Sequence, residues 1–295
     1  MAMVSLQETG VAARQWAAHA RRGSMFKTLY MGLTRGFAFA ASLCVCAANL
    51  GLRSALVIFI LTRHDARPRT IWLKCFGRPF TFRGRADKGV MSHFYKPGYR
   101  IRDRADRSIA TIVDCGANIG DETVRFRHFH PKARIVAIEA AAQNFKLLQR
   151  NFAHDPLVTC LHKGIWPTAA RLKIDRVSSN EGISVAEVAA NDATYDVDAI
   201  SIPDVMRKFG MERIDILKLD VEGTEYELFT RNIDDWIERV NVLIFECPDH
   251  ERPGTVSALY RKIATMDFDC FVNGENLVLI RRGTGWQCDS ALYYR

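Results

Sequence analysis

The 295-residue sequence lacks the short signatures of several large function classes. Its 8 cysteines, at positions 44, 46, 75, 115, 160, 247, 270 and 288, contain no C-x-x-C pair and no regular spacing, which argues against a zinc site or a disulfide framework. Cys115, Cys160, Cys247 and Cys270 sit inside apolar runs, where a free thiol packs as a small hydrophobe in a reducing, cytoplasmic setting. No serine stands in a G-x-S-x-G elbow, so hydrolase chemistry has no support. His93, His128, His130, His162 and His250 are scattered, with no metal spacing such as H-x-x-x-H, and no metal site is expected. His128 and His130, just ahead of Pro131, read as exposed at a helix end. Zinc-finger and RNP-like patterns are missing too, so nucleic acid is not the expected partner.

Charge is present but unevenly spread. Residues 1–110 carry 19 Lys and Arg against 5 Asp and Glu, whereas the remainder carries 22 against 28. A front end at +14 and a main body at −6 suggest that the front end meets something anionic, with a membrane surface favoured over nucleic acid. Residues 36–62 (GFAFAASLCVCAANLGLRSALVIFILT) are long enough to cross a bilayer, but Arg53 interrupts them at a cost of roughly 2.5–3.5 kcal/mol on insertion scales. Three readings stay open: a membrane anchor, a helical pair lying on a membrane surface through residues 1–62, or a helix and strand packed on the main domain. A cleavable signal peptide is not expected, because 35 residues precede the run.

From residue 70 the pattern becomes regular. IWLKCF and PFTFR alternate around Gly77–Arg78 as a β-hairpin, Asp87 is placed to N-cap a helix over 88–95, and Pro97–Gly98 ends it. The apolar runs SIATIVDCGA, RIVAIEA, LVTCLHKGI, RIDILKLDV and NVLIFEC then alternate with segments at helical spacing, which predicts a parallel sheet with helices on both faces. Asn273–Gly274 between apolar runs marks a terminal antiparallel hairpin. ARLKIDR and DVDAISI read as short inserted strands.

Ligands of such sheets bind beyond the carboxyl ends of the strands. Asp114-Cys115-Gly116-Ala117-Asn118-Ile119-Gly120 stands at one such end. Two glycines alone are explained by a strand-to-helix turn that needs glycine for its backbone. Glu139, nineteen positions after Gly120 at the tip of RIVAIE, shifts the balance, since an acid there can accept hydrogen bonds from both ribose hydroxyls. A pyrophosphate-binding turn would carry a third glycine and a helix start free of acid. Here Asp121-Glu122 open the helix, which suits a ligand carrying an amino group and a sulfonium, S-adenosylmethionine.

A second constellation is IDILKLDVEGTEYELF, 214–229, where Lys218, Asp220 and Glu222 alternate and Glu225 follows in the next helix. A Lys–Asp pair with helix-start acids is a common structural arrangement; four charges at the ligand edge of a central strand favour function. Glu246 ends the following strand. Trp166 is placed either to stack on adenine or to pack under the inserted strands, the second being the plainer reading.

Taken in order, VDCGANIGDET, AIEAAAQNFKLLQRN and ILKLDVEGTEYELF resemble the FkbM family of S-adenosylmethionine-dependent methyltransferases, over residues 70 to about 283. FTFRGRADKGVMSHFYKPGY is similar to that family's approach segment, with Asp87 and Tyr99. Two departures stand out: Ala140-Ala141-Ala142 replaces prolines after Glu139, and Glu246-Cys247-Pro248 displaces the family's strand-end histidine to His250. The parallel sheet closed by an antiparallel hairpin and the resemblance both imply an α/β class I methyltransferase (Rossmann-like) fold; the hydrophobic N-terminal helical segment ahead of it lies outside the resemblance and is read from hydropathy. Together they divide the chain into a basic segment (1–35), a hydrophobic segment (36–62), an approach hairpin and helix (63–107), the methyltransferase domain (108–283) and a tail (284–295).

The same resemblance implies O-methylation of a hydroxyl on a sugar, glycan or polyketide-type small molecule. Donor binding then falls to Asp114, Gly116, Ala117, Asn118, Gly120, Glu139 and Asp220, and acceptor chemistry to Asp220, Glu222 and Glu246, with Lys218 neutralising the carboxylates. The rival classes are a nicotinamide-dependent oxidoreductase or epimerase on a similar sheet, which the missing third glycine disfavours, and a non-catalytic, membrane-associated ligand-binding domain. Nothing in the sequence sets an oligomeric state.

Overall fold

Five of the apolar runs become parallel neighbours in one seven-stranded sheet. In a computed structural model describing residues 40–291, apart from 49, 64–66, 95–97, 104–108, 177–182, 190–193, 247–251 and 274–275, they are β4 (Thr111–Cys115), β5 (Arg134–Glu139), β6 (Val158–His162), β11 (Ile214–Leu219) and β12 (Val240–Glu246). The sheet is completed by β13 (Phe268–Asn273) and β14 (Asn276–Arg281), in the order β13-β14-β12-β11-β4-β5-β6. Only β14 runs against its neighbours, pairing antiparallel with both β12 and β13. The expected terminal hairpin is therefore present, with Gly274 outside the described residues.

Alternation along the strands divides the core into two layers. Val113, Cys115, Leu217, Leu219, Leu243 and Phe245 face one side. There they bury Val205 and Met206 of α6 (Ile202–Lys208), Leu228 and Phe229 of α7 (Glu225–Thr230), and Leu259 and Ile263 of α8 (Thr255–Ile263). Helix α6 starts where Ser201 accepts a hydrogen bond from the Asp204 amide, with Pro203 in the first turn, a start that needs no donor from the proline. Ile112, Ile216, Val242 and Ile244 face the other side, with Phe126 of α4 (Asp121–Phe129). Also on that side is a ribbon in which β3 (Gly98–Asp103) pairs with β15 (Trp286–Ala291). Residues 286–291, read as tail, are thus a strand.

The hydrophobic front end packs on the domain. Residues 40–48 form α1 and Leu52–Leu61 form α2, two helices where a helix and a strand were one expectation. Cys46, Leu50, Ala55 and Ile58 are buried with Phe80, Phe82, Val124, Leu147 and Leu148, each large apolar side chain contributing roughly 1.5–3 kcal/mol. Among the described residues no helix is long and apolar enough to cross a membrane, which removes the spanning-anchor reading for them; residues 1–39 lie outside the described part. The hairpin is as expected, β1 (Arg69–Leu73) against β2 (Arg78–Phe82). Asn151, at the end of α5 (Ala142–Asn151), locks it to the glycine turn: Oδ1 accepts from Thr81 N at 2.7 Å, and Nδ2 donates to Thr81 O and Ile119 O at 3.1 and 2.9 Å.

The helix expected over 88–95 is a 3-10 turn, Gly84–Asp87, running into a short α3, Lys88–Ser92. Asp87 makes no side-chain cap to it. Its carboxylate instead accepts from the Arg83 amide and guanidinium, because a buried acid is held best by a charged donor. The two inserted strands, β8 (Arg171–Arg176) and β10 (Val197–Ile200), gain two partners, β7 (Gly164–Ile165) and β9 (Ile183–Val188), and form a separate sheet in the order β7-β10-β8-β9. Cys270 is exposed on the edge strand β13 rather than packed in the core; Cys247 lies outside the described residues.

Both glycines of the turn are needed by the protein itself. Gly116 has φ +77 and its Cα faces the chain after β11, where an added Cβ would lie 1.7 Å from the Asp220 carbonyl oxygen. Gly120 has φ +98, and a Cβ there would lie 2.5 Å from the Phe152 ring and 2.9 Å from Leu148. Gly116→Ala should therefore cost more than about 4 kcal/mol, the range of a core clash. Gly77→Ala, also at positive φ but with nothing within 4 Å, should cost about 1–2 kcal/mol. Urea melts of the two variants check the difference.

Candidate functional site

Parallel pairing brings the carboxyl ends of β4, β5, β11 and β12 to one edge. Glu139 ends β5 there, buried, and its two oxygens are spread over two backbone amides: Oε2 accepts from Asn118 N at 2.9 Å and Oε1 from Ala141 N at 2.8 Å. One carboxylate thus ties the glycine turn to the loop after β5 while keeping lone pairs to spare. Burial pushes its pKa up to about 7 against these hydrogen bonds. Arg83 reaches the same corner through Asn144, whose Oδ1 it donates to at 2.7 Å. Asn118 itself sits at φ +48, a conformation that asparagine tolerates better than most residues.

Beneath the turn lies a buried charge cluster. β11 and β4 pair so that Lys218 stands opposite Asp114, both on the layer covered by α4. Lys218 is 3% exposed and its Nζ lies 2.7 Å from Asp220 Oδ2. Burial alone would lower its pKa, but Asp220, Asp114 and Glu122 hold it above its ordinary value. Asp114 is fully buried and accepts from Thr123 Oγ1 at 2.6 Å; burial takes it to about 7 despite Lys218. Asp114 is therefore a buried neighbour of the turn rather than an open side chain.

Asp220, Glu222 and Glu246 come together at the outer edge, with carboxylate oxygens within 4.8 Å of one another. They do so without the extended strand that the alternation suggested. β11 ends at Leu219, and Glu222 reaches the cluster through a left-handed backbone, φ +50. Burial raises the Asp220 carboxyl, but the Lys218 ammonium more than offsets it, leaving Asp220 below its ordinary value; a Glu246 hydrogen bond adds to this. Glu225 is not part of that edge. Its carboxylate accepts from Val221 N and Gly223 N at 2.9 and 2.8 Å and so holds the loop that carries Asp220 and Glu222.

Several residues that spacing left scattered are gathered by the fold. His93, just after α3, sets its Nδ1 2.5 Å from Asp121 Oδ2, and Tyr99 donates to Glu122 at 2.9 Å while Arg125 pairs with the same carboxylate. His93, Asp121 and Glu122 bring ligand atoms within 4.8 Å, a juxtaposition across 28 residues that no local spacing encodes. Burial would lower His93, but Asp121 keeps it above its ordinary value. His128 and His130 are half-buried, not exposed: His128 packs edge-on to Phe76 at 5.1 Å, and burial with Arg100 brings His130 to about 4. Trp166 is buried with Leu172 and Val197, donating to Glu187 at 3.0 Å, so it packs under the inserted sheet. Cys247, Pro248 and His250 lie outside the described residues.

The donor and acceptor chemistry of this edge fits a cation better than an anion. Asp114, Asp121, Glu122, Glu139, Asp220, Glu222 and Glu246 outnumber Lys218, Arg125 and His93. The buried oxygens Asp114 Oδ1 and Asn118 Oδ1 have no hydrogen-bond partner among the described residues. A ligand that brings N–H and O–H donors with positive charge answers both features, whereas a pyrophosphate brings only acceptors and more negative charge.

The raised carboxyls also predict a pH dependence. Asp114, Glu139 and Glu225 each rise to about 7 from 3.8 or 4.5, by burial first. The native state keeps these protons where the unfolded chain has released them. Their stabilisation is therefore complete below about pH 4 and is lost as pH rises through about 7. Asp220 and Glu122, held below their ordinary values, act only at lower pH. The melting temperature of the ligand-free protein should fall across that window, and Glu225→Gln should flatten the slope; an unchanged slope would remove Glu225 from the account.

Comparison with known proteins agrees with this chemistry. The family model for the methyltransferase FkbM domain matches residues 114–268, more than half of the chain. Methyltransferase sdnD of Sordaria araneosa is 29% identical over 168 residues, 46% of this chain and 65% of that protein. Methyltransferase 1 of Beauveria bassiana is 26% identical over 160 residues, 46% of this chain and 64% of that protein. The matches thus span just under two thirds of the length of these relatives. Among solved structures, an S-adenosylmethionine-dependent O-methyltransferase from Thermotoga maritima aligns over 59% of this chain and 60% of that one, at 14% identity and a TM-score of 0.33. With the matched segment running from Asp114 of the glycine turn through the carboxylates of β11 and β12 to the start of β13, the chain belongs to the FkbM family of methyltransferases, whose methyl donor is S-adenosylmethionine.

Proposed function

We propose that this protein transfers a methyl group from S-adenosylmethionine to a hydroxyl of a small molecule, of sugar, glycan or polyketide type. The observation that carries the reading is the convergence of Asp220, Glu222 and Glu246 within 4.8 Å at the edge where the glycine turn and Glu139 also end. A hydroxyl needs a hydrogen-bond acceptor to orient its lone pair and a group to receive its proton, and a carboxylate cluster offers both. The identity of the acceptor follows from the family likeness alone.

When bound, the donor supplies a methyl group on a positively charged sulfur, already activated for displacement. Glu139 would accept the ribose hydroxyls on its remaining lone pairs, and Asn118 Oδ1 with Asp220 would accept from the amino group. Asp114 completes the negative potential beneath. Gly116, Ala117 and Gly120 act through backbone shape: the Gly116 and Ala117 amides both donate to Ile138 O, at 3.0 and 2.9 Å, which sets the turn. Lys218 is a positioning residue, fixing the Asp220 carboxylate. Because that carboxylate lies below its ordinary pKa, it is a better orienting acceptor than a base. The hydroxyl proton, released as the oxygen takes the methyl group and the carbon–sulfur bond breaks, would pass to the Glu246 carboxylate, with Glu222 flanking the acceptor.

The test has two arms. Calorimetric titration should show S-adenosylmethionine binding that weakens at least about 100-fold in Glu139→Gln, the loss of two charge-assisted hydrogen bonds. NADH should give no response. Retention of affinity in that variant would take Glu139 out of the donor site. A panel of hydroxylated sugars and polyketides, scored by S-adenosylhomocysteine release, should then find an acceptor whose turnover falls by about 100-fold or more in Glu246→Gln. Methylation confined to amines would sink the hydroxyl reading.

A further inference from the structure

We infer that the outward face of α2 seats this protein on an anionic lipid surface, lying along the interface without entering the bilayer core. Leu52, Leu56 and Ile60 recur every fourth residue and so share one face of the helix. They are 62%, 44% and 59% exposed, while Ser54, Ala55 and Ile58 on the opposite face are buried in the domain. Apart from Arg53 and Ser54 the helix is apolar all round, and packing accounts for only half of it.

The exposed stripe carries its own polar ends. Arg53 and Arg63 are exposed at either end of α2. Arginine keeps its charge at the headgroups while its stem lies on apolar surface. An apolar strip with basic ends describes a helix that lies in a membrane interface. Charge complementarity selects the occupant. A second copy would oppose these arginines with themselves. Residues 1–39 carry 5 Lys and Arg against the lone Glu8, so covering the stripe with them would add like charge. Anionic headgroups are attracted by both.

The test uses the full chain and sedimentation with lipid vesicles. Vesicles of phosphatidylcholine with phosphatidylglycerol should take up the protein at least about tenfold better than phosphatidylcholine alone. The triple variant L52E/L56E/I60E should lose at least about tenfold of that partition, with melting temperature and S-adenosylmethionine affinity unchanged, since none of the three touches the site. No uptake by the anionic vesicles would overturn the proposal. So would uptake by the variant within about twofold of the parent, which would assign binding to charge alone. A parent dimer that the variant makes monomeric, without vesicle uptake, would give the face to a second copy.

Discussion

The arrangement of this site depends on one buried ammonium. Lys218 sits on the central strand β11 with almost no solvent contact, opposite Asp114 and bonded to Asp220. An unpaired charge in that position would be too costly to keep. The surrounding carboxylates exist in their places because Lys218 needs them, and they in turn tolerate one another because Lys218 lies between them. Asp220 is drawn down below its ordinary pKa, whereas Asp114, with the same cation near it but deeper, stays near 7. One cation thus splits two aspartates into a charged acceptor at the edge and a titratable group beneath. The site stays net negative, which is the condition a sulfonium ligand requires.

The second constraint is steric and acts between two loops. The chain leaving β4 and the chain leaving β11 approach until Gly116 and the Asp220 carbonyl touch, and Asp220 N donates back to Cys115 O at 3.1 Å. The glycines of the turn are therefore explained first by protein packing. The closeness they permit brings Asp220 near enough to Glu139 for the two carboxylates to feel each other's charge.

How far the sequence reveals all this depends on the range of the interaction. The parallel strands were legible because each is a short apolar run buried on both faces, and the two acids Glu139 and Asp220 were legible as polar endings of such runs. The terminal hairpin was announced by Asn273–Gly274. What stayed hidden depends on partners far away in the chain. His93 meets Asp121 only because Asn151 and Arg83 dock the hairpin onto the turn. Asp87 reads as a helix cap by local rules, and the neighbouring Arg83 overrides them. β15 pairs with β3 across about two thirds of the chain, residues 286–291 against 98–103, so WQCDSA carries no local sign of being a strand.

The front end shows why hydropathy alone was ambiguous there. A helix whose inner face joins a domain core and whose outer face is also apolar has the composition of a membrane span but half its length. α2 has 10 residues, about 15 Å at the α-helical rise, against the roughly 30 Å of a hydrocarbon core. Arg53 then changes meaning. In a spanning helix it is a penalty at mid-depth; on a helix packed sideways it is a charge at the water-facing end of an apolar strip. The same residue that counted against a membrane anchor is the one that a surface-bound helix would use.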